Sequence, residues 1–136
     1  MEDTIFGKII RREVPAEILF EDEDTLAFLD IAPVAPGHTL VIPKKPFRNM
    51  LDIDEESLTH VMRTVRTVAK AVKEATNASG VNVSCNNEPA AGQVVFHFHV
   101  HIIPRHENDG LTPWPHKEYG EGEAAAMAEK VRTALA

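Results

Sequence analysis

Three histidines alternate with large apolar residues in the segment His97-Phe98-His99-Val100-His101-Ile102-Ile103. Successive side chains of a β-strand point to opposite faces, so this spacing predicts His97, His99 and His101 on one face of a strand. Phe98, Val100 and Ile102 would then anchor the other face in the core. Imidazole exchanges protons near neutral pH, binds metals and acts as a nucleophile. The row therefore indicates a chemical site on a buried strand.

Three interpretations of the row are open. The histidines could form a solvent-facing polar strand face. They could bind zinc, although histidines on one strand face lie about 6.6 Å apart, so two converge on an ion more easily than three. They could also act on a phosphate, the central imidazole attacking phosphorus while its neighbours bind oxygens and supply a proton.

The residues just before the row favour phosphate chemistry. Gly92 lets backbone N–H groups approach an anion closely, and Gln93 adds an amide donor and acceptor. The same pair is also compatible with an ordinary turn.

Composition narrows the class of protein. A chain of 136 residues, 43% of them hydrophobic, fits one compact domain. A net charge of −7 argues against binding long nucleic acid. No apolar run approaches the ~20 residues of a membrane helix, and the acidic N-terminus lacks signal-peptide features. Cys85 is the only cysteine, which excludes intrachain disulfides and favours a cytoplasmic location.

Hydrophobic periodicity predicts the elements that carry the histidines. We expect a short helix over 5–10 capped by Asp3 or Thr4, and a long helix with Asp52 as cap and an apolar face from Leu58 to Val72. Predicted strands cover 18–21, 25–30, 38–43, 81–86 and 96–104. A loop over 106–122 precedes a last helix over 123–135. Strands mixed with helices and short turns predict an α+β fold with a largely antiparallel sheet.

In the histidine row and the residues just before it, the chain resembles the histidine triad (HIT) family. The signature of three histidines alternating with apolar residues is matched by 97–103, and Gly92-Gln93 lies at the usual offset before it. The resemblance runs over about 3–105 and includes the segments 3–10, 26–31 and 38–44. Within the family the chain looks most like the Hint branch, the purine nucleoside phosphoramidases, and Ile102-Ile103-Pro104-Arg105 resembles the bacterial and archaeal members.

The resemblance implies a HIT-like fold, in which a five-stranded mainly antiparallel sheet carries a long helix and N- and C-terminal helices. The sheets of two chains would join across a homodimer. Residues 1–136 would form a single HIT domain, with a core of about 3–105 and a C-terminal loop and helix at 106–136.

The resemblance also implies a role for each histidine. His99 would be the nucleophile on the α-phosphate, and His101 would contact the phosphate and help to protonate the leaving group. His97 would orient the central imidazole, and His38 would be a fourth, supporting histidine. No metal and no cofactor is required for this chemistry.

Eleven further residues would bind the nucleotide. Asp30 would hold both ribose hydroxyls, since two oxygens on one carboxylate suit a vicinal diol. The base would lie in an apolar cleft formed by Ile5, Phe6, Ile9, Phe28 and Ile31. The sugar and phosphate side would be lined by Asn86, Gly92, Gln93, Val94 and Val95. Structural alternatives stay open: core packing for the apolar residues, turns for Asp30 and Asn86, and a strand start for His38.

Val94 departs from the family pattern, because many members have Ser or Thr at this position. A valine cannot donate a hydrogen bond to phosphate, and one lost neutral hydrogen bond weakens binding by about 1 kcal/mol.

The sequence thus predicts a nucleotide hydrolase or transferase that cleaves purine nucleoside 5′-phosphoramidates through a covalent nucleotidyl-histidine. Its expected partners are a purine nucleotide substrate and a second copy of the chain, with no nucleic acid and no membrane. Two alternatives remain: a dinucleoside polyphosphate hydrolase, and a nucleotide-binding module with little catalysis.

Overall fold

A computed structural model describes residues 2–136. Within these residues, three helices and five strands follow one another, with a short 3-10 turn at Pro89–Ala91. In chain order they are α1 (Ile5–Ile10), β1 (Ile18–Glu21), β2 (Thr25–Leu29), β3 (Thr39–Pro43), α2 (Glu55–Thr76), β4 (Gly80–Ser84), β5 (Val100–Arg105) and α3 (Glu123–Leu135).

The strands form one sheet in the order β1-β2-β3-β5-β4, and every neighbouring pair is antiparallel. The predicted α+β class with an antiparallel sheet is therefore confirmed. β5 lies between β3 and β4, which brings His101 opposite Leu40 on one side and Ser84 on the other. Two long-range pairings thus fix the strand that carries the last histidine of the row.

The sheet buries a different set of side chains on each face. On one face α2 packs Val61, Val65, Val68, Ala69 and Val72 against Ala27, Val41, Phe98, Val100 and Ile102. On the other face Phe6 and Ile9 of α1 pack against Leu26, Phe28, Leu40 and Ile42. Neighbouring residues of β2 and β3 alternate between these clusters, as the period of two requires. His101 lies between Val100 and Ile102 and therefore points to the α1 face.

Helix caps agree with the sequence at one helix and correct it at another. Thr4 caps α1, its hydroxyl accepting from Gly7 N. The cap of α2 is Asp54, which accepts from Ser57 N at 2.7 Å, so the prediction of Asp52 was wrong. Asp52 instead accepts from the backbone N–H groups of Arg48 and Asn49.

The strand predicted over 96–104 is shorter at its start. β5 begins at Val100, so His97 and His99 lie in an irregular segment before it. Phe98 N there donates to Phe47 O at 2.7 Å instead of to a neighbouring strand. The prediction that all three histidines share one strand was wrong, although Phe98, Val100 and Ile102 are buried as expected.

The C-terminal helix stands apart from the core. No side chain of α3 is buried, and Met127, Val131 and Leu135 are exposed. None of the helices within residues 2–136 is both long and apolar enough to cross a membrane.

Candidate active site

A cavity of about 930 Å³ opens on the α1 face of the sheet, and His99 and His101 form part of its wall. Its lining is mostly apolar, with Asp30 and Asn86 among the few polar side chains. An apolar cavity with few convergent polar groups is typical of a small-molecule site. The volume is ample for a mononucleotide-sized ligand, within the ~300–1,000 Å³ of such pockets.

His99 is held in one tautomer by the backbone. Its Nδ1 lies 2.7 Å from the carbonyl oxygen of His97. A carbonyl oxygen only accepts, so Nδ1 carries the hydrogen and Nε2 keeps a free lone pair. The Phe6 ring packs edge-on against the His99 ring at a centroid distance of 5.0 Å. The chain thus presents an immobilised, unprotonated imidazole nitrogen, which is the form a nucleophile needs.

A hydrogen-bonded chain likewise fixes His101. Val34 N donates to His38 Nδ1 at 3.0 Å, which leaves the hydrogen of neutral His38 on Nε2. His38 Nε2 lies 2.9 Å from His101 Nδ1, so it donates to that atom. Neutral His101 must then carry its own hydrogen on Nε2. The two histidines beside the cavity therefore differ: His99 offers a lone pair and His101 offers an N–H.

The His97 ring lies away from this pair. Its Nε2 donates to Pro43 O at 2.7 Å, and the ring lines a separate cavity of about 460 Å³. We expected the His97 imidazole to orient the His99 ring. In the structure the backbone carbonyl of His97 contacts His99 Nδ1, and the His97 imidazole does not. The side chain itself ties the irregular segment to the end of β3.

Burial lowers the pKa of each of these four histidines below its ordinary value. For His38, His97 and His99 desolvation is the largest cause. Burial lowers the pKa of His101 to about 4, with smaller contributions from His99 and His38. With their pKa below the ordinary value, all four rings are predominantly neutral at pH 7 in the free protein, so the His99 lone pair is available.

Among residues 2–136, Asp30, His38 and His101 place three potential metal-ligating atoms within 4.8 Å of one another. The hydrogen bonds do not suit a metal. His38 Nε2 would have to lose its hydrogen to become a ligand, because Val34 N already occupies Nδ1. Asp30 Oδ2 lies 3.6 Å from that same Nε2, as a second acceptor. The donor set fits a proton relay better than an ion.

Most of the predicted nucleotide-binding residues line the large cavity. They are Ile5, Phe6, Ile9, Phe28, Asp30, Ile31, Asn86, Gly92, Val94 and Val95. Phe6, Ile9 and Phe28 are also buried core residues, so core packing and a place in the cavity wall coexist at these positions. Asp30 serves a turn through Oδ1, which accepts from Ala32 N at 2.8 Å, and keeps Oδ2 toward His38. Ile31 and Val94 are exposed at the cavity's edge.

Gln93 is the exception. Its side chain is buried, and both amide atoms have partners within the protein. Oε1 accepts from Glu88 N and Asn49 Nδ2, and Nε2 donates to Arg48 O and Val95 O. The predicted nucleotide-facing position of the Gln93 side chain is therefore not what the structure has.

Sequence reasoning missed part of the cavity wall. The segment after α1 contributes Val14, Pro15, Ala16 and Glu17, and β3 contributes Leu40. In the sequence, Val14-Pro15 indicated only the end of a helix. That this segment also forms part of the cavity wall depends on tertiary packing, which leaves no pattern in neighbouring residues. Leu40 was open to prediction, since it shares the alternation that places Ile42 on the same face.

The HIT domain family profile matches residues 11–108. An uncharacterized HIT-like protein of Synechococcus elongatus is 48% identical over 105 residues, covering 75% of this chain and 90% of that protein.

Two other similar proteins have names that include an activity or a ligand class. The Arabidopsis thaliana protein named adenylylsulfatase HINT3 is 40% identical over 80% of this chain and 55% of its own length. The crystal structure of a histidine triad nucleotide-binding protein from Candida albicans superposes with a TM-score of 0.85 at 33% identity, covering 98% of this chain and 97% of that one.

Proposed function

This chain belongs to the HIT domain family, and on that premise we propose that it cleaves purine nucleoside 5′-phosphoramidates through a nucleotidyl-His99 intermediate. Family membership and the nucleotide-binding and adenylylsulfatase relatives support a nucleotide-binding hydrolase or transferase. The phosphoramidate substrate and the covalent step are the finer part of the proposal.

One observation carries the proposal: the free Nε2 lone pair of His99 at the wall of an apolar cavity. The tautomer follows from the bond between Nδ1 and the His97 carbonyl. The same cavity is lined by Phe6 and Phe28, which suit a flat base, and by Asp30, which suits a ribose diol. A nucleophile and these two binding features together support a nucleotide rather than an arbitrary phosphate ester.

In the first step His99 Nε2 attacks the α-phosphorus and the bond from phosphorus to the amine nitrogen breaks. The departing nitrogen takes the bonding electron pair and needs one proton to leave as an amine. The charge of the bound phosphate favours the cationic form of His101, which takes up one proton from solvent as the substrate binds and then donates its Nε2 hydrogen to that nitrogen. In that form Nδ1 also carries hydrogen, so His38 Nε2–H turns to Asp30 Oδ2, 3.6 Å away.

The second step reverses these roles. Neutral His101 now has a free Nε2 lone pair and takes a proton from water as the water oxygen attacks phosphorus. The bond between phosphorus and His99 Nε2 breaks, and its electron pair returns to the ring. The products are a nucleoside monophosphate, neutral His99 and cationic His101, which restores the state before the first step. Charge and protons balance over both steps.

The leaving group distinguishes this substrate from its rivals. An amine must be protonated, whereas sulfate or a second nucleotide leaves readily as an anion. The HINT3 relative is named for action on an adenylyl sulfate, and hydrolysis of dinucleoside polyphosphates remains a second candidate. A nucleotide-binding module with little catalysis is the third candidate.

Steady-state kinetics with three adenosine substrates tests the choice: an amine phosphoramidate, adenylyl sulfate and a diadenosine polyphosphate. We expect the highest kcat/KM for the phosphoramidate. His101→Ala should lose about 10²–10⁴-fold on that substrate but much less on adenylyl sulfate. A strong preference for the polyphosphate would overturn the substrate assignment, and no turnover of any of the three would favour the binding module.

Three further expectations belong to the proposal. We propose a homodimer, to be measured by sedimentation, and a cytoplasmic location in keeping with the single Cys85. We also propose that no metal takes part, because the His38 hydrogen bonds oppose metal ligation. Full activity after exhaustive chelation is the expected result, and a chelator-sensitive rate restored by zinc would contradict it.

A further inference from the structure

The loop over 88–96, which runs along the cavity, is held at three points by Arg48. The guanidinium makes two hydrogen bonds of 2.8 Å to the Glu88 carboxylate at the start of the loop. Its carbon lies 4.4 Å from the centre of the Phe96 ring at the end. Between them, Gln93 Nε2 donates to the Arg48 carbonyl at 2.7 Å.

Buried amides complete this arrangement. Asn49, which is 2% exposed, donates to Glu88 Oε2 at 2.6 Å and to Gln93 Oε1 at 3.1 Å. Asp52 in turn accepts from Arg48 N and Asn49 N, which fixes the two residues that hold the loop. The loop is therefore positioned by a connected network rather than by a single contact.

Glu88 occupies an unusual backbone conformation, with φ 76° and ψ 158°. This region is favourable for glycine and costs other residues about 1–3 kcal/mol. A glutamate here is thus a local cost to the fold, and its carboxylate is the group that Arg48 and Asn49 hold. Glu88 also accepts from Gln93 N and donates its own N–H to Gln93 Oε1, so it connects the start of the loop to its centre.

The loop has donors to offer to a ligand. Val94 and Val95 line the cavity, and neither backbone N–H donates to any atom of residues 2–136. Successive free N–H groups in a fixed loop form an anion-binding concavity. The Val94 side chain has no hydroxyl that could donate a hydrogen bond to the anion. At this position the donors must therefore be backbone N–H groups.

We propose that Glu88 and Arg48 are positioning residues, which hold the Val94 and Val95 N–H groups where they bind the phosphate of a nucleotide. This inference rests on the proposed function, because it presumes a nucleotide in the large cavity. Neither residue lines that cavity, so both act through the loop.

The test compares the affinities for adenosine 5′-monophosphate and adenosine, measured by calorimetry on the full chain. Wild-type protein should bind the monophosphate more tightly. Glu88→Gly relieves the backbone strain and Arg48→Met removes the ion pair while keeping an apolar contact on Phe96. Each should weaken monophosphate binding about tenfold, the equivalent of one or two hydrogen bonds, and leave adenosine binding unchanged.

Stability separates positioning from a merely structural role. Glu88→Gly should keep or raise the thermal midpoint while it weakens phosphate binding, and Glu88→Gln should give an intermediate affinity. Asp109→Asn is the matched control, because Asp109 also pairs with an arginine through two bonds but lies outside the cavity lining. It should leave the affinity ratio unchanged.

The two hypotheses fail in different ways. If wild-type protein binds adenosine as tightly as the monophosphate, the proposed nucleotide site fails. If wild-type protein prefers the monophosphate but folded Glu88→Gly and Arg48→Met keep that preference in full, the positioning inference is wrong and the proposed function stands.

Discussion

Replacing His38 with leucine should raise the pKa of His101. In the structure His38 Nε2 donates to His101 Nδ1 over 2.9 Å, and this bond exists only while Nδ1 is unprotonated. Leucine fills a similar volume and donates nothing. The neutral form of His101 therefore loses a stabilising contact that its cationic form never had.

The magnitude follows from the strength of that bond. A hydrogen bond contributes about 1 kcal/mol net, and one pKa unit corresponds to about 1.4 kcal/mol, so the shift is about 0.7 unit upward. From its value of about 4, the pKa of His101 should thus rise to roughly 5.

Titration of the histidine ring resonances by NMR measures this directly, with His101→Gln to assign the signal. His38→Gln is the matched control, because its amide can still donate to His101 Nδ1, and the pKa should stay near the wild-type value. An unchanged or lower pKa in folded His38→Leu would refute the reasoning, since the proton would then not lie on His38 Nε2.

Three other variants test separate parts of the account. Between pH 6.5 and 4 the unfolded chain binds more protons than the folded one, because burial lowers the pKa of His101 to about 4. The free energy of unfolding, measured by urea denaturation, should therefore fall as the pH is lowered through this range. His101→Gln should make this dependence of the unfolding free energy on pH less steep. Val94→Ser should strengthen monophosphate binding by about 1 kcal/mol, roughly fivefold by calorimetry, with little change in stability because the side chain is exposed. Asp30→Asn keeps an acceptor for Ala32 N but loses the charge, so it should abolish discrimination between ribose and 2′-deoxyribose nucleotides; undiminished discrimination would exclude Asp30 as the diol ligand.

Local patterns were sufficient for most of the fold. The period-two alternation of β2 and β3, the apolar face of α2 and the break at Asn77 are signals carried by neighbouring residues, and the structure follows them. The predicted cap of α2 lies two residues before the observed one, because Asp52 and Asp54 are both suitable cap residues by type and position. Only the contact of Asp52 with Arg48 and Asn49 decides between them.

The sequence allowed us to predict which residue types form the candidate site, but not which hydrogen bonds they make. The histidine row indicated phosphate chemistry, yet His97 and His99 lie before β5, because Phe98 N pairs with Phe47 instead of with a strand. Gln93 was expected to face the ligand, and its burial against Asn49 depends on a contact 44 residues away in the chain. Pairings at such distances leave no local pattern, so the tautomers of His99 and His101 required the structure.

The central claim is a covalent bond between His99 and the nucleotide. Mass spectrometry of the intact protein, mixed rapidly with an adenosine phosphoramidate and quenched at alkaline pH, tests it most directly. We predict a mass increase of one adenylyl group, mapped by peptide analysis to His99 and absent from His99→Ala, which should also lose turnover. Sustained turnover by His99→Ala, or an adduct on another residue, would contradict the account.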